Sequence, residues 1–184
     1  VAENVSIADD DVPALVSFAD AKRIDLLIVG PEAPLVGGLV DAFDAAGLRA
    51  FGPTAVAAQL EGSKAFAKRF MFEEGIPTGV GAMFRDYETA LTYLRRQETP
   101  VVVKASGLAA GKGVAVCPTL EDAETALRRT MVERAFGAAG DEVVIEECLA
   151  GAEASLLAFS DGTTVVPMLP ARDYKRAYDR DEGP

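Results

Sequence analysis

The run Ile24-Asp-Leu-Leu-Ile-Val29 constrains the fold more than any other stretch of the chain. It is short and nearly continuously apolar, and it closes on Gly30-Pro31-Glu32, a turn able to open a helix. A segment of that kind reads as a strand of a parallel sheet, buried on both faces by helices. Upstream, Pro13 to Ala21 carries Leu15, Val16, Phe18 and Ala19 at helical spacing. Downstream, Leu35 to Ala46 reads as a helix, with Gly47 as its left-handed cap. A second short strand around Arg49 to Phe51 runs into Gly52-Pro53-Thr54, again a strand-to-helix turn. Two strand–turn–helix units in succession predict an open, doubly wound sheet.

The pattern then changes. Ser63 to Glu74 reads as a helix with Ser63 as N-cap, Gly75 beyond its end and Pro77 preventing continuation. Asp86 to Arg96 and Thr119 to Arg134 are amphipathic, with Asp86 and Thr119 as caps and Thr119-x-x-Asp122 resembling a capping box. Between them lie two strands, Val101 to Ala105 and Val114 to Cys117, joined by the glycine-rich segment Ser106 to Gly113. Val143 to Leu149, Ala154 to Phe159 and Thr164 to Leu169 read as further strands, the last two forming a hairpin about Asp161-Gly162. This half is expected to be antiparallel sheet with helices on one face, an α+β unit. The composition places a domain boundary between about Gly79 and Phe84.

The chain contains no histidine, which removes imidazole metal sites and Ser-His or Cys-His nucleophile pairs. Its net charge of −11 argues against a general nucleic-acid binder but leaves room for a nucleotide site with a few local cations. Cys117 and Cys148 each lie in apolar strand-like runs and read as small buried hydrophobes. No run is long and apolar enough for a membrane span and no leader pattern opens the chain, so a soluble cytoplasmic protein is expected. Chemistry is left to carboxylates, lysines, backbone amides and metal-bound phosphate.

Three stretches could supply it. In the first, Lys104 ends an apolar strand, the loop Ser106, Gly107, Leu108, Ala109, Ala110, Gly111, Lys112, Gly113 follows, and a strand resumes at once. Glycines let successive backbone N–H groups turn inward around an anion, and Lys104 and Lys112 add charge, a combination suited to polyphosphate. It is not a Walker A loop: Gly107 to Gly111 is one residue short, Gly113 stands where Ser or Thr is needed, and no helix follows. A plain hairpin with solvated lysines has the same pattern. The second stretch is Glu146, Glu147, Cys148, Leu149 with Glu153 beyond a glycine turn, a hinge with acceptors for an adenine amine and ribose hydroxyls. Alone, two glutamates at a strand end more often face solvent. In the third, Lys64 occupies the first turn of a helix, where the dipole disfavours a cation unless an anion offsets it; an ordinary exposed surface lysine fits the pattern equally.

In this order, the three stretches resemble the ATP-grasp superfamily. Gly30-Pro-Glu-Ala-Pro-Leu35, Phe51-Gly-Pro-Thr54, Leu60-Glu-Gly-Ser-Lys-Ala-Phe66, Lys104 to Val114, Val144-Ile-Glu-Glu147 and Asp173-Tyr-Lys-Arg176 are similar to the phosphoribosylamine–glycine ligase family along the whole chain. The resemblance implies an ATP-grasp fold preceded by an incomplete Rossmann-like parallel sheet. The parts would be a partial N-terminal α/β domain over 1–80, a lid subdomain over 81–147 and a truncated second subdomain over 148–184. It implies that Lys64, Lys104, the 106–113 loop, Glu146, Glu147, Cys148, Leu149 and Glu153 hold ATP. Gly30, Pro31, Glu32 and Asp173 would face phosphoribosylamine, and Lys104, Lys175 and Arg176 would act on the reacting groups. Magnesium or manganese would accompany ATP, with ligands expected beyond the C-terminal end of this chain.

Such an enzyme phosphorylates the glycine carboxylate and lets the amine of phosphoribosylamine displace phosphate, chemistry that asks for positioning and charge neutralisation rather than a titrating base. The loop would be its lid. ATP, glycine and phosphoribosylamine are the expected partners, with no nucleic acid or membrane. Tyr174 stands where the family usually has His, and the chain looks cut at both ends relative to it. Another ATP-grasp carboxylate–amine ligase and a non-catalytic nucleotide-binding module are the competing readings.

Overall fold

A computed structural model of the chain describes residues 3–172 and Tyr178. The expectations for Asp173, Tyr174, Lys175 and Arg176 fall outside the described residues. Contacts divide the chain into one unit running through Cys148 and another from Leu149 onward.

In the first unit, helix α1 (Val12–Lys22) is capped by the Asp11 carboxylate, which accepts from the Ala14 amide. Strands β1 (Leu27–Ile28) and β2 (Ala50–Phe51) pair in parallel, Leu27 opposite Ala50. The helix expected over 35–46 is instead two pieces, α2 (Glu32–Val36) and α3 (Leu39–Ala45). Gly37-Gly38 divides them, because Gly38 takes φ 85°, a left-handed conformation that a right-handed helix cannot carry. Ala19, Leu39 and Phe43 form a core with Leu15, Val16 and Leu27 packed against it. The Ile24–Val29 run is not buried on both faces as its composition suggests: Leu27 meets this core, while Ile28 is 68% exposed.

Helix α4 (Ala55–Gly62) starts at Thr54, and α5 (Lys64–Glu73) starts at Ser63, whose hydroxyl accepts from the Phe66 amide at 3.2 Å. A four-stranded antiparallel sheet follows, built from β3 (Gly81–Phe84), β4 (Val101–Ala105), β5 (Val114–Cys117) and β6 (Val143–Glu147) in the order β3-β6-β4-β5. Strand β3 lies where composition suggests only a boundary. Its Gly81 lies so close to β6 that a Cβ there would sit 2.6 Å from the Glu146 Cβ, so only glycine permits the approach.

Helices α6 (Tyr87–Leu94) and α7 (Leu120–Met131) cover one face of this sheet, closing Val101, Val103, Val143 and Ile145 over Leu94 and Leu127. Both stop short of their expected ends, α6 at Leu94 and α7 at Met131. The Thr119 hydroxyl accepts from the Asp122 amide at 3.2 Å, the N-cap half of a capping box, while the Asp122 carboxylate accepts from that hydroxyl at 2.6 Å. Thr119→Ala is expected to cost about 1 kcal/mol, read as a lower urea midpoint at unchanged m-value. A loss near zero would mean that water caps α7 equally well.

The second unit holds β7 (Ala154–Ser155) paired antiparallel with β10 (Ala171–Arg172), and a hairpin of β8 (Ala158–Ser160) and β9 (Val165–Pro167). The Asp161 carboxylate accepts from the Thr163 and Thr164 amides and so closes the turn. The strand expected over 154–159 is split by Leu156-Leu157. Among the described residues no helix is long and apolar enough to cross a membrane.

Candidate functional site

Strand parity builds the site. In β4, Val101, Val103 and Ala105 enter the core, so Lys104 points to the opposite face. In β6, Val143 and Ile145 do the same, which sends Glu146 to that opposite face too. The register sets Lys104 across from Val144 and Val102 across from Glu146, making Lys104 and Glu146 diagonal neighbours. Helix α5 supplies Lys64 and Lys68, four positions apart and therefore on one side of the helix.

From β6, Glu146 ties helix α5 to strand β4. Its Oε2 accepts from the Lys68 ammonium at 2.6 Å, and its Oε1 accepts from Lys104. Lys68 is 2% exposed and donates further to Thr78 Oγ1 at 2.9 Å and to the Gly79 carbonyl at 2.6 Å. Burial alone would raise the Glu146 carboxyl, but hydrogen bonds and charge from Lys104 and Lys68 outweigh it and hold the group below the ordinary glutamate range. Burial lowers the Lys64 ammonium; Glu61 pulls it back up and Lys104 pushes it further down. These side chains, with Leu60, Met71 and Val144, line a cavity of about 260 Å³. Three ammonium groups against two carboxylates leave it cationic, and its apolar wall can take a flat ring.

The glycine-rich loop is fastened at both feet. The Lys64 amide donates to the Ser106 carbonyl at 2.8 Å, and Lys64 Nζ reaches the Gly107 carbonyl at 3.1 Å. The buried Ser106 hydroxyl accepts from the Ala65 amide and lies 3.1 Å from Ser63 Oγ. At the far foot, the Ala105 amide donates to the Gly113 carbonyl. Leu108, Ala109, Ala110 and Gly111 form the tip between these anchors.

The other sequence-derived residues are distributed differently. Lys112 is exposed and lines a separate cavity of about 230 Å³ against α7, with Asp122 and Arg129. The Glu147 carboxylate accepts from the Val80 amide at 2.7 Å, so of the two adjacent glutamates only Glu146 meets the lysines. Both cysteines are free thiols, but Cys148 is half-buried and lies past the end of β6, not in the core as expected; burial, and next Asp122, push the buried Cys117 upward. Leu149 and Glu153 belong to the second unit and are exposed there. Gly30 and Glu32 line a cavity of about 320 Å³ at the start of α2, and Pro31 is the residue before that helix. Two residues that carry no motif in the sequence also belong to the site, Lys68 and Glu61, the latter lining both this cavity and the cationic one. The signal for Lys68 was its place one helical turn after Lys64. Among the described residues, no group of three or more Cys, Asp and Glu is placed to hold a metal ion.

Two family models match the chain end to end: phosphoribosylglycinamide synthetase, N domain, over residues 1–61, and phosphoribosylglycinamide synthetase, ATP-grasp (A) domain, over residues 62–184. The chain belongs to the phosphoribosylglycinamide synthetase family. Within that family it is 56% identical over 182 residues to the phosphoribosylamine–glycine ligase of Escherichia coli K12, a match covering 99% of this chain and 42% of that one. The chain thus spans about two fifths of the length of the curated relatives it matches. The crystal structure of phosphoribosylamine–glycine ligase from Thermotoga maritima superposes with a TM-score of 0.67 at 36% identity, over 74% of this chain and 35% of that one. Biotin carboxylase from Campylobacter jejuni, solved with β-γ-ATP, reaches a TM-score of 0.70 at 21% identity over 85% of this chain and 36% of that one. That likeness extends to fold alone and agrees with an ATP-grasp architecture.

Proposed function

We propose that the protein ligates glycine to 5-phosphoribosylamine at the expense of ATP, through glycyl phosphate, giving glycinamide ribonucleotide, ADP and phosphate. The observation that carries the reading is the cavity lined by Lys64, Lys68, Lys104 and Glu146, in which Glu146 pairs with Lys68 and Lys104 and Lys64 reaches the foot of the glycine-rich loop. Identity to ligases of this name along the whole chain supports the same reading. Lys64 and Lys104 neutralise the polyphosphate, the 106–113 loop covers it with backbone N–H groups, and Glu146 orients Lys104 and the ring. Glu147, Cys148, Leu149 and Glu153 complete the nucleotide hinge in this proposal. Gly30, Pro31, Glu32 and Asp173 take the phosphoribosylamine side, with Lys175 and Arg176 on the reacting groups. A divalent cation is expected with ATP, and no step here is routed through it.

Calorimetry with ATP and magnesium tests the pocket. Lys104→Ala is expected to weaken binding by about tenfold to a hundredfold, the range for a lost charge-assisted hydrogen bond. Equal affinity in a folded variant would refute the assignment of this cavity to ATP. Glycine-dependent release of ADP in the presence of phosphoribosylamine then separates a ligase from a nucleotide-binding module.

A further inference from the structure

Lys68 is the most deeply buried charge among the described residues, and the chemistry above gives it no step. An ammonium has three protons to donate, and here Thr78 Oγ1, the Gly79 carbonyl and Glu146 Oε2 accept them. None remains for a ligand. A methionine of similar length would fill the same helix–sheet space without the cost of desolvating a charge, so packing alone does not explain a lysine.

What the lysine does that methionine could not is tie three elements at one atom: helix α5, the 78–79 segment leading into β3, and strand β6. The same segment is held from the other side, where Val80 donates to the Glu147 carboxylate and its carbonyl accepts from the Glu147 amide at 2.9 Å. Glu146 is thereby fixed at its Oε2, leaving Oε1 for Lys104. We propose that Lys68 is a positioning residue, which locks the Glu146 carboxylate so that its second oxygen aims Lys104 into the nucleotide cavity. The nucleotide half of this statement rests on the ATP reading above.

The charged groups facing Glu146 around the cavity are Lys64 and Lys68 from α5, Lys104 from β4 and Glu61 from α4. With Lys68 neutralised, Lys104 is the one ammonium left on the carboxylate, and burial then pushes Glu146 upward. The experiment pairs two measurements on wild type, Lys68→Met and Lys68→Arg: ATP affinity with magnesium, and the titration of the Glu146 carboxyl carbon by NMR without nucleotide. Lys68→Met is expected to weaken ATP about tenfold or more and to move the Glu146 titration to higher pH. Lys68→Arg should recover most of both. If Lys68→Met does not fold, Lys68→Gln replaces it, keeping a hydrogen bond to Thr78 while removing the charge.

An unmoved Glu146 titration overturns the proposal whatever happens to affinity, since the loss would then be general loosening. A moved titration with ATP affinity within about twofold of wild type overturns it as well, because the aim of Lys104 would not matter. If the wild-type chain binds no ATP, the nucleotide reading falls alone. The titration shift then still decides whether Lys68 positions the Glu146–Lys104 pair.

Discussion

Replacing Glu146 by alanine is expected to destabilise the first unit by about 3–5 kcal/mol at neutral pH, the cost of stranding a buried charge without its partner. The stranded group is Lys68, 2% exposed and projecting from α5 onto β6. Lys104 is less affected, because its side chain is 27% exposed and can turn to water. The loss should depend on pH in a fixed direction. The folded Glu146 carboxyl lies below its ordinary value, so its contribution is complete above that ordinary value and is lost as pH falls through the folded one. Urea denaturation of wild type and Glu146→Ala should therefore show a wide gap at neutral pH that narrows in acid. A neutral-pH gap under about 1 kcal/mol would place this triad with surface ion pairs and show that Thr78 and Gly79 satisfy Lys68 unaided.

Leu127→Ala is the second large loss, about 2–5 kcal/mol, for a different reason. Leu127 is fully buried in the core that joins α6 and α7 to the four-stranded sheet. Its truncation removes apolar contact and leaves a cavity that the β-strands behind it cannot close. Leu127→Met, which keeps the volume, should cost less than about 1.5 kcal/mol. Because Leu127 lies on the face away from Lys104 and Glu146, the alanine variant should retain ATP affinity per folded molecule. A variant that stays stable would show that α7 shifts to refill the space; one that stays folded but loses ATP would show the two faces to be mechanically coupled.

These two faces also explain what the sequence could and could not reveal. The apolar runs of β4 and β6 and the lysine and glutamates at their ends are readable, but these runs do not alternate, so only the folded register puts Lys104 and Glu146 on one side; the Ser63 and Thr119 caps follow from side-chain chemistry. The Asp161-Gly162 hairpin was equally readable, since its turn residues form its bonds locally. Strand β3 escaped because four residues starting with Gly81 carry no alternation; pairing with β6 makes it a strand. The break at Gly37-Gly38 was hidden in a run whose apolar spacing continues across it. Adjacent Glu146 and Glu147 look equivalent in sequence, and register alone separates the one among lysines from the one on the Val80 amide. Lys68 is not legible as a site residue, because a lysine on an amphipathic helix ordinarily faces solvent. Its burial depends on Thr78, Gly79 and Glu146, the last of them far away in the chain.

The diagonal between Lys104 and Glu146 makes this site unequally vulnerable to two kinds of genetic change. Point substitutions on either face of the sheet are graded in effect, since each removes one contact. Deleting a single residue within β4 is different in kind, because the residues beyond it change sides together. Val103 would be turned out to the cavity and Lys104 driven in among Leu94, Leu127 and Ile145. The strand thus behaves as an odd–even code in which a frame slip of one exchanges oil for charge along its length, whereas a slip of two keeps the code and merely shortens it.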